Sequence, residues 1–246
     1  MSRPLKVGAV MYDPKVSVIW EIIRDFFDAQ GSPIDVAFYS TYENQNAGLL
    51  FGAIDIAWNS PLAWVDAQRR SGNGCRAIAM RDTDRDRISY VVARRSGPVQ
   101  TLADLKGRTI ATGAIDSPQA TLIPLGRLRR EGLSPGVDVS VRRFDVLVGK
   151  HGDHVGGERD ALACLMQGDA AACAMLDLNW EGWIHDGTID ANQFGIVGET
   201  DRFDHCVFTV RQTLDPSAEK AWLEALFAMR YDNPEHREMM DLEGLT

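Results

Sequence analysis

The apolar positions of this chain alternate between short strand-like runs and longer stretches with helical spacing. Residues 5–11 read as a buried strand. Pro14 then opens a helix that places Val16, Ile19, Ile22, Ile23, Phe26 and Phe27 on one face, until Gly31 stops it. Residues 34–40 alternate as a strand, 41–52 form a helix with Thr41 as its N-cap, and 54–58 form a compact apolar strand. Asn59-Ser60-Pro61 therefore falls where a strand ends and a helix begins. Ligands of open α/β sheets bind outside such ends, and capping residues look the same, so Asn59 and Ser60 carry both readings.

A second strand and helix series follows. Residues 76–80 form a strand, the charged run RDTDRDR reads as a solvated turn, 88–93 form a strand, and Gly97-Pro98 punctuates the chain. TLADLKG at 101–107 is a short capped helix, 108–112 a strand, and 117–130 a helix with Leu122, Leu125 and Leu128 inward. Between these last two lies GAIDSPQAT, where Ser117 and Thr121 offer hydroxyls and the helix start offers N–H donors; the competing reading is an ordinary cap before Pro118. Residues 139–144 and 171–176 read as strands flanking a helix at 158–167, and the latter strand ends in Asp177-Leu178-Asn179-Trp180. Strands at 195–198 and 206–210 and a helix at 216–231 close the chain.

The pattern breaks between 148 and 158, VGKHGDHVGGE. Four glycines permit unusual backbone angles there, while Lys150, His151, Asp153, His154 and Glu158 are more than a connecting loop requires. Two uses are open. The loop recognises a ligand, or it does acid/base chemistry, with His151 or His154 oriented by Asp153 or Glu158 and Lys150 holding a carboxylate. The spacing H-x-D-H-x-x-x-E matches no metal motif, and VGKHGDHVGG lacks the order of a phosphate-binding P-loop, so neither a metal nor a cofactor is expected. His205 and Cys206 are adjacent within a strand-like run. Neighbours in a strand point to opposite faces, so a bonded pair is not expected there.

At 246 residues the chain suits one large α/β domain or two lobes. A net charge of −9 without a concentrated basic face argues against nucleic acid. The four cysteines show no C-x-x-C pair and read as reduced, buried small hydrophobes. No apolar run reaches the ~20 residues of a membrane span. The first residues lack a secretory pattern, which points to the cytoplasm, or to the periplasm or a lipid anchor if a leader was removed. Oligomeric state is not readable.

GLLFGAIDIAWNSPLAWVDA, TLADLKGRTIATG, GAIDSPQATLIPLGRL and KHGDHVGGERDALACLMQGDAAACAML together resemble the phosphate/phosphonate/phosphite solute-binding family of ABC transporters. That resemblance covers residues 5–230. It implies a type 2 periplasmic-binding-protein fold: two α/β lobes with a mixed sheet in each, residues 1–92 plus 203–246 and residues 93–202, and a ligand cleft between them. It places Tyr12, Asn59, Ser60, Ser117, Gln119, Thr121, His154 and Asp177 at the cleft mouth, with His154 in the position of the family's ligand-side histidine. Lys150, Asn179 and His205 join them as candidates. The Ser-Thr-Ser cluster expected at the helix start is replaced by Ser117-Pro118-Gln119-Ala120-Thr121. Asp204-His205-Cys206 stands where plain hinge residues are usual. The implied function is binding of a small anionic or zwitterionic metabolite, delivered to a permease if the protein is exported. A lyase, hydrolase or decarboxylase on the same fold is the alternative.

Overall fold

The structure is a computed structural model, and it describes residues 3–152 and 157–242. In chain order the elements are β1 (Leu5–Val10), α1 (Lys15–Ala29), β2 (Ile34–Tyr39), α2 (Tyr42–Phe51), β3 (Ile56–Asn59), α3 (Pro61–Arg70) and β4 (Cys75–Ala79). There follow β5 (Ser89–Arg94), β6 (Thr109–Thr112), α4 (Ile123–Arg130), β7 (Ser140–Arg143), α5 (Glu158–Gln167), β8 (Ala172–Leu176), α6 (Asp177–His185) and β9 (Phe194–Glu199). The chain then returns through β10 (Val207–Arg211), α7 (Pro216–Leu226) and α8 (Pro234–Leu242).

Contacts divide the chain into two compact units, Met1–Arg85 with Asp204–Thr246, and Asp86–Phe203. Each holds one five-stranded mixed sheet. The first runs β2-β1-β3-β10-β4 and the second β7-β6-β8-β5-β9. The two orders are the same topology. In the first, β1 is parallel to β2 and β3, while β10 lies antiparallel between β3 and β4. In the second, β6 is parallel to β7 and β8, while β5 lies antiparallel between β8 and β9. Parallel strands need crossover helices, which cover both faces and bring the following loops to the strands' C-terminal ends.

The first crossover comes before β5, not after residue 92. All five residues Ser89–Ala93 pair with β8, so the strand is built into the second sheet and the chain must change units earlier. Three other sequence expectations shift. The helix expected at 117–130 begins as a π-turn over Pro118–Leu122 before α4. Polar Asp177-Leu178-Asn179-Trp180 starts α6. The last helix ends at Leu226, and α8 follows it.

The first unit's largest core cluster is aromatic, with a smaller aliphatic one formed by Leu49, Ile54, Ala57 and Ala67. Trp222 stacks on Phe27 with centroids 5.6 Å apart and meets Phe208 edge-on at 4.9 Å. Val7, Ile56 and Val210 seal the sheet face beneath them. The second unit has two cores, one on each sheet face. Leu162, Leu165, Met175 and Trp183 pack on one side, Leu105, Ile110, Leu128 and Val139 on the other. Small residues on β8 (Ala172, Cys173, Ala174) let helices approach from both faces.

Candidate ligand-binding site

In the second unit the parallel strands β6, β7 and β8 all end on the same side, and the loops that follow them meet there. The sequence's two strongest candidates, GAIDSPQAT and the Gly-rich stretch, are brought together. Gly149 N–H donates to Asp116 Oδ2 at 2.6 Å, and Gln119 Nε2 donates to the Gly152 carbonyl at 3.0 Å. Gly152 has φ +65°, and a Cβ there would lie 2.7 Å from Ser117 Cβ and Oγ, so only glycine allows this approach. His151, next to it, is buried and holds φ +54° without being glycine, a conformation of the kind that clusters at ligand clamps.

The π-turn arises where Ser117 caps with Oγ to Ala120 N–H and Leu122 N–H reaches back to the Ser117 carbonyl at 2.9 Å. This wider winding turns two carbonyls out of the helix. The Gln119 carbonyl accepts from Ser89 Oγ at 2.6 Å, and the Ala120 carbonyl from Gly113 N–H at 3.2 Å. π-turns are rare and concentrate at functional sites. Four buried side-chain oxygens in the same stretch have no hydrogen-bond partner among the described residues: Thr112 Oγ1, Asp116 Oδ1, Gln119 Oε1 and Thr121 Oγ1. Gln119 is 1% exposed and Thr121 2%. Orphaned buried polar atoms each cost about 1–3 kcal/mol, so a group of them calls for a partner.

The acids of the loop divide by role. Glu158, fully buried at the start of α5, accepts from Leu176 N–H at 2.9 Å and Asn179 Nδ2 at 2.7 Å, tying α5 to the β8–α6 turn. That engagement makes Glu158 and Asn179 a brace within the unit. Asp177 caps its own turn through Leu178 N–H at 2.9 Å and lies 3.7 Å from Arg87. Lys150 is half-buried beside His151. Asp153 and His154 lie outside the described residues. Burial, with the charge of Glu158, pushes the Cys173 thiol far above its ordinary value, which suits the buried, unreactive role read from sequence.

In the first unit, Asn59 and Ser60 end β3 as expected, but both are engaged. Asn59 receives Gln45 Nε2 at 2.8 Å and donates to Asn46 Oδ1 at 3.1 Å, fully buried, while Ser60 Oγ caps α3 through Ala63 N–H at 3.2 Å. Tyr12 and Trp58 instead line an apolar pocket of about 80 Å³ with Trp20, Phe208, Trp222 and Met229. Arg81 covers the Trp58 ring, 5.0 Å from its centroid. Sequence reasoning missed Arg81, because it sits in a run that reads as solvated turn.

That turn holds a further surprise. Asp84 is buried, held by Arg81 through Nε to Oδ2 at 2.6 Å and Nη2 to Oδ1 at 3.0 Å, and His205 Nδ1 lies 3.4 Å from Oδ1. Burial opposes its ionisation, yet the hydrogen bonds from His205 and Arg81 hold its carboxyl well below the usual range. Cys206 Sγ lies 3.1 Å from the same Nδ1. The expectation that His205 and Cys206 point apart fails because both precede β10, which starts only at Val207, and the strand's alternation does not apply to them.

Residues 12–246 match the family model of the ABC-transporter phosphonate periplasmic substrate-binding protein, and the chain belongs to that family. Among solved structures it is similar to PhnD1 from Prochlorococcus marinus (MIT 9301) in complex with methylphosphonate, at 17% identity and a TM-score of 0.71, covering 98% of this chain and 90% of that one. It is also similar to XAC2383 from Xanthomonas citri bound to ATP, at 17% identity and 0.74 over 96% and 86% of the two chains. A third is the periplasmic aliphatic sulphonate binding protein SsuA from Escherichia coli, at 16% and 0.61 over 100% and 80%. These likenesses establish the fold, α/β with two mixed sheets. A 25-residue stretch is 72% identical to an uncharacterized protein of Haemophilus influenzae (strain ATCC 51907 / DSM 11121 / KW20 / Rd), covering 10% of this chain and 35% of that protein. The family is one of binding proteins, so the lyase, hydrolase or decarboxylase alternative is not favoured. It is also a periplasmic family, at odds with a cytoplasmic location and in accord with the alternative of a removed leader. No helix among the described residues is long and apolar enough to cross a membrane.

Proposed function

We propose that the chain is the ligand-capturing component of an ABC-type uptake system, working in the periplasm and handing a small anionic or zwitterionic metabolite to a permease. The ligand carries a phosphonate, phosphate or carboxylate group, recognised in the second unit by Ser117, Gln119 and Thr121 with Lys150 and His151. One observation carries this reading: buried polar oxygens on and beside a π-turn, at the ends of parallel strands, that have no partner among the described residues. Hydroxyls at Thr112 and Thr121 can donate to an oxyanion. Gln119 Oε1 and Asp116 Oδ1 can only accept, which suits an N–H-bearing group on the same ligand, and favours amino-substituted anions over bare phosphate. Asp177 is a further candidate contact in the same unit, where Glu158 and Asn179 hold the surrounding turns in place.

The test is a thermal-shift and calorimetric screen against phosphate, alkyl- and aminoalkylphosphonates, sulfonates and small carboxylates, with the mass of the compound checked afterwards. A true ligand at a hundred times its Kd stabilises the protein by about 2.7 kcal/mol and is recovered unchanged. Thr121→Val, which keeps the shape and removes the hydroxyl, is expected to weaken binding about tenfold without destabilising the free protein. Failure of every compound class, or full affinity in that variant, would overturn the assignment.

A further inference from the structure

We infer that Asp84, His205 and Cys206 form a three-ligand site for a borderline divalent transition-metal ion of the zinc type, with a fourth coordination position open. One ligand atom from each of Asp84, His205 and Cys206 lies within 4.8 Å of the other two, and His205 Nδ1 is 3.4 Å from Asp84 Oδ1 and 3.1 Å from Cys206 Sγ. Tetrahedral zinc bonds of about 2.0–2.3 Å put neighbouring donor atoms about 3.3–3.6 Å apart, so the two contacts at Nδ1 are already close to that spacing. Oxygen, nitrogen and sulfur together suit zinc, iron or cobalt rather than magnesium or calcium.

The decisive feature is that both contacts fall on one ring nitrogen. In a hydrogen-bonded relay, the carboxylate and the thiol would occupy opposite nitrogens of the imidazole, one accepting and one donating. A single Nδ1 cannot donate to Asp84 and accept from the Cys206 S–H at once, so without a metal the carboxylate and the sulfur must share one Nδ1–H. Three donor atoms converging on one point are instead what a central cation resolves. On binding, the Cys206 S–H bond is exchanged for a sulfur–metal bond and its proton passes to solvent, while neutral His205 contributes the Nδ1 lone pair. The surroundings resemble the outer support of known metal centres. Arg81 fixes the carboxylate from behind through both its oxygens, and His205 N–H donates to the Asp84 carbonyl at 2.8 Å, locking the two segments in register. These segments border both points where the chain passes between its units, Arg85/Asp86 and Phe203/Asp204. Sequence spacing hid the site because the whole of the second unit separates Asp84 from His205 and Cys206 in the chain.

The experiment uses the full chain, stripped with a chelator and titrated with Co²⁺ and Zn²⁺. One equivalent of Co²⁺ should bind with a near-ultraviolet thiolate charge-transfer band. Cys206→Ser should abolish the band and His205→Ala should weaken binding at least tenfold, while Cys164→Ser, altering a buried cysteine elsewhere, should change nothing. X-ray absorption of the zinc-loaded wild type, which needs no variant to fold, should show one sulfur at about 2.3 Å and nitrogen or oxygen in the remaining positions. Substoichiometric binding, a cobalt band that survives in the Cys206→Ser protein, or a zinc shell without sulfur would overturn the assignment. None of these outcomes depends on which metabolite the protein carries.

Discussion

Single residues here are constrained by what a neighbouring backbone allows. Gly152 is the sharpest case, since its left-handed φ and its approach to Ser117 both exclude a side chain. Gly152→Ala is expected to destabilise the protein by about 1–3 kcal/mol in urea unfolding and to lower ligand affinity, because it lifts the loop from the π-turn that Gln119 anchors. A second residue sets a pH dependence. Asp55, 4% exposed and immediately before β3, accepts both arms of Arg3 at 2.7 Å and the Lys6 N–H at 2.9 Å. Burial opposes its ionisation, but these donors hold its carboxyl below the ordinary value. The stability it contributes is therefore complete above the unfolded-state pKa of about 3.9 and is lost as pH falls through the lower folded-state value. Asp55→Asn should cost about 1 kcal/mol at neutral pH, a modest figure because Arg3 is exposed and screened, and the difference from wild type should vanish in melts well below pH 4.

At the scale of elements, the π-turn depends on β5. Ser89 is fully buried, and its hydroxyl holds the outward-turned Gln119 carbonyl at 2.6 Å while its N–H meets Thr200 Oγ1 at 3.0 Å. Ser89→Ala leaves that carbonyl without its donor. The expected outcome is a loss of about 1–2 kcal/mol in denaturant unfolding, together with weaker ligand binding in calorimetry, although residue 89 itself lies on a different strand from the turn. This coupling also shows what the sequence could and could not convey. Strands, caps and crossover helices are legible because apolar period and capping chemistry are local: Thr41 and Ser60 cap where their residue types say they should. The π-turn is not legible, because Ser117-Pro118 reads as an ordinary helix start and only the tertiary pull of Ser89 and Gly113 on two carbonyls distinguishes it. The burial of Asp84 was hidden for the same reason. Its partner His205 is separated from it in the chain by the whole of the second unit, so RDTDRDR reads locally as solvated charge.

At the scale of the molecule, two sheets of identical topology arise from a chain without an internal sequence repeat, which places the likeness in strand order and crossover direction and not in particular side chains. The consequence differs for the two units. The first is discontinuous: β10 enters the middle of its sheet from the C-terminal segment, and α7 supplies Trp222, whose 1% exposure between Phe27 and Phe208 makes it a keystone of that core. The second is one uninterrupted segment that contains every strand of its sheet and both of its cores. Residues 86–203 excised as a fragment are therefore expected to fold alone, with a cooperative thermal transition by circular dichroism. Trp222→Ala in the full chain should cost about 3–5 kcal/mol and melt the first unit ahead of the second. If the anion-recognising groups are those of the π-turn and the Gly-rich loop, the fragment should also keep a measurable, weakened affinity for the ligand found in the screen, since Ser117, Gln119, Thr121, Lys150 and His151 all lie within it. A folded fragment without any affinity would move recognition to the first unit, to Tyr12, Trp58 and Arg81. A fragment that does not fold would mean that the second unit's core is incomplete without the first.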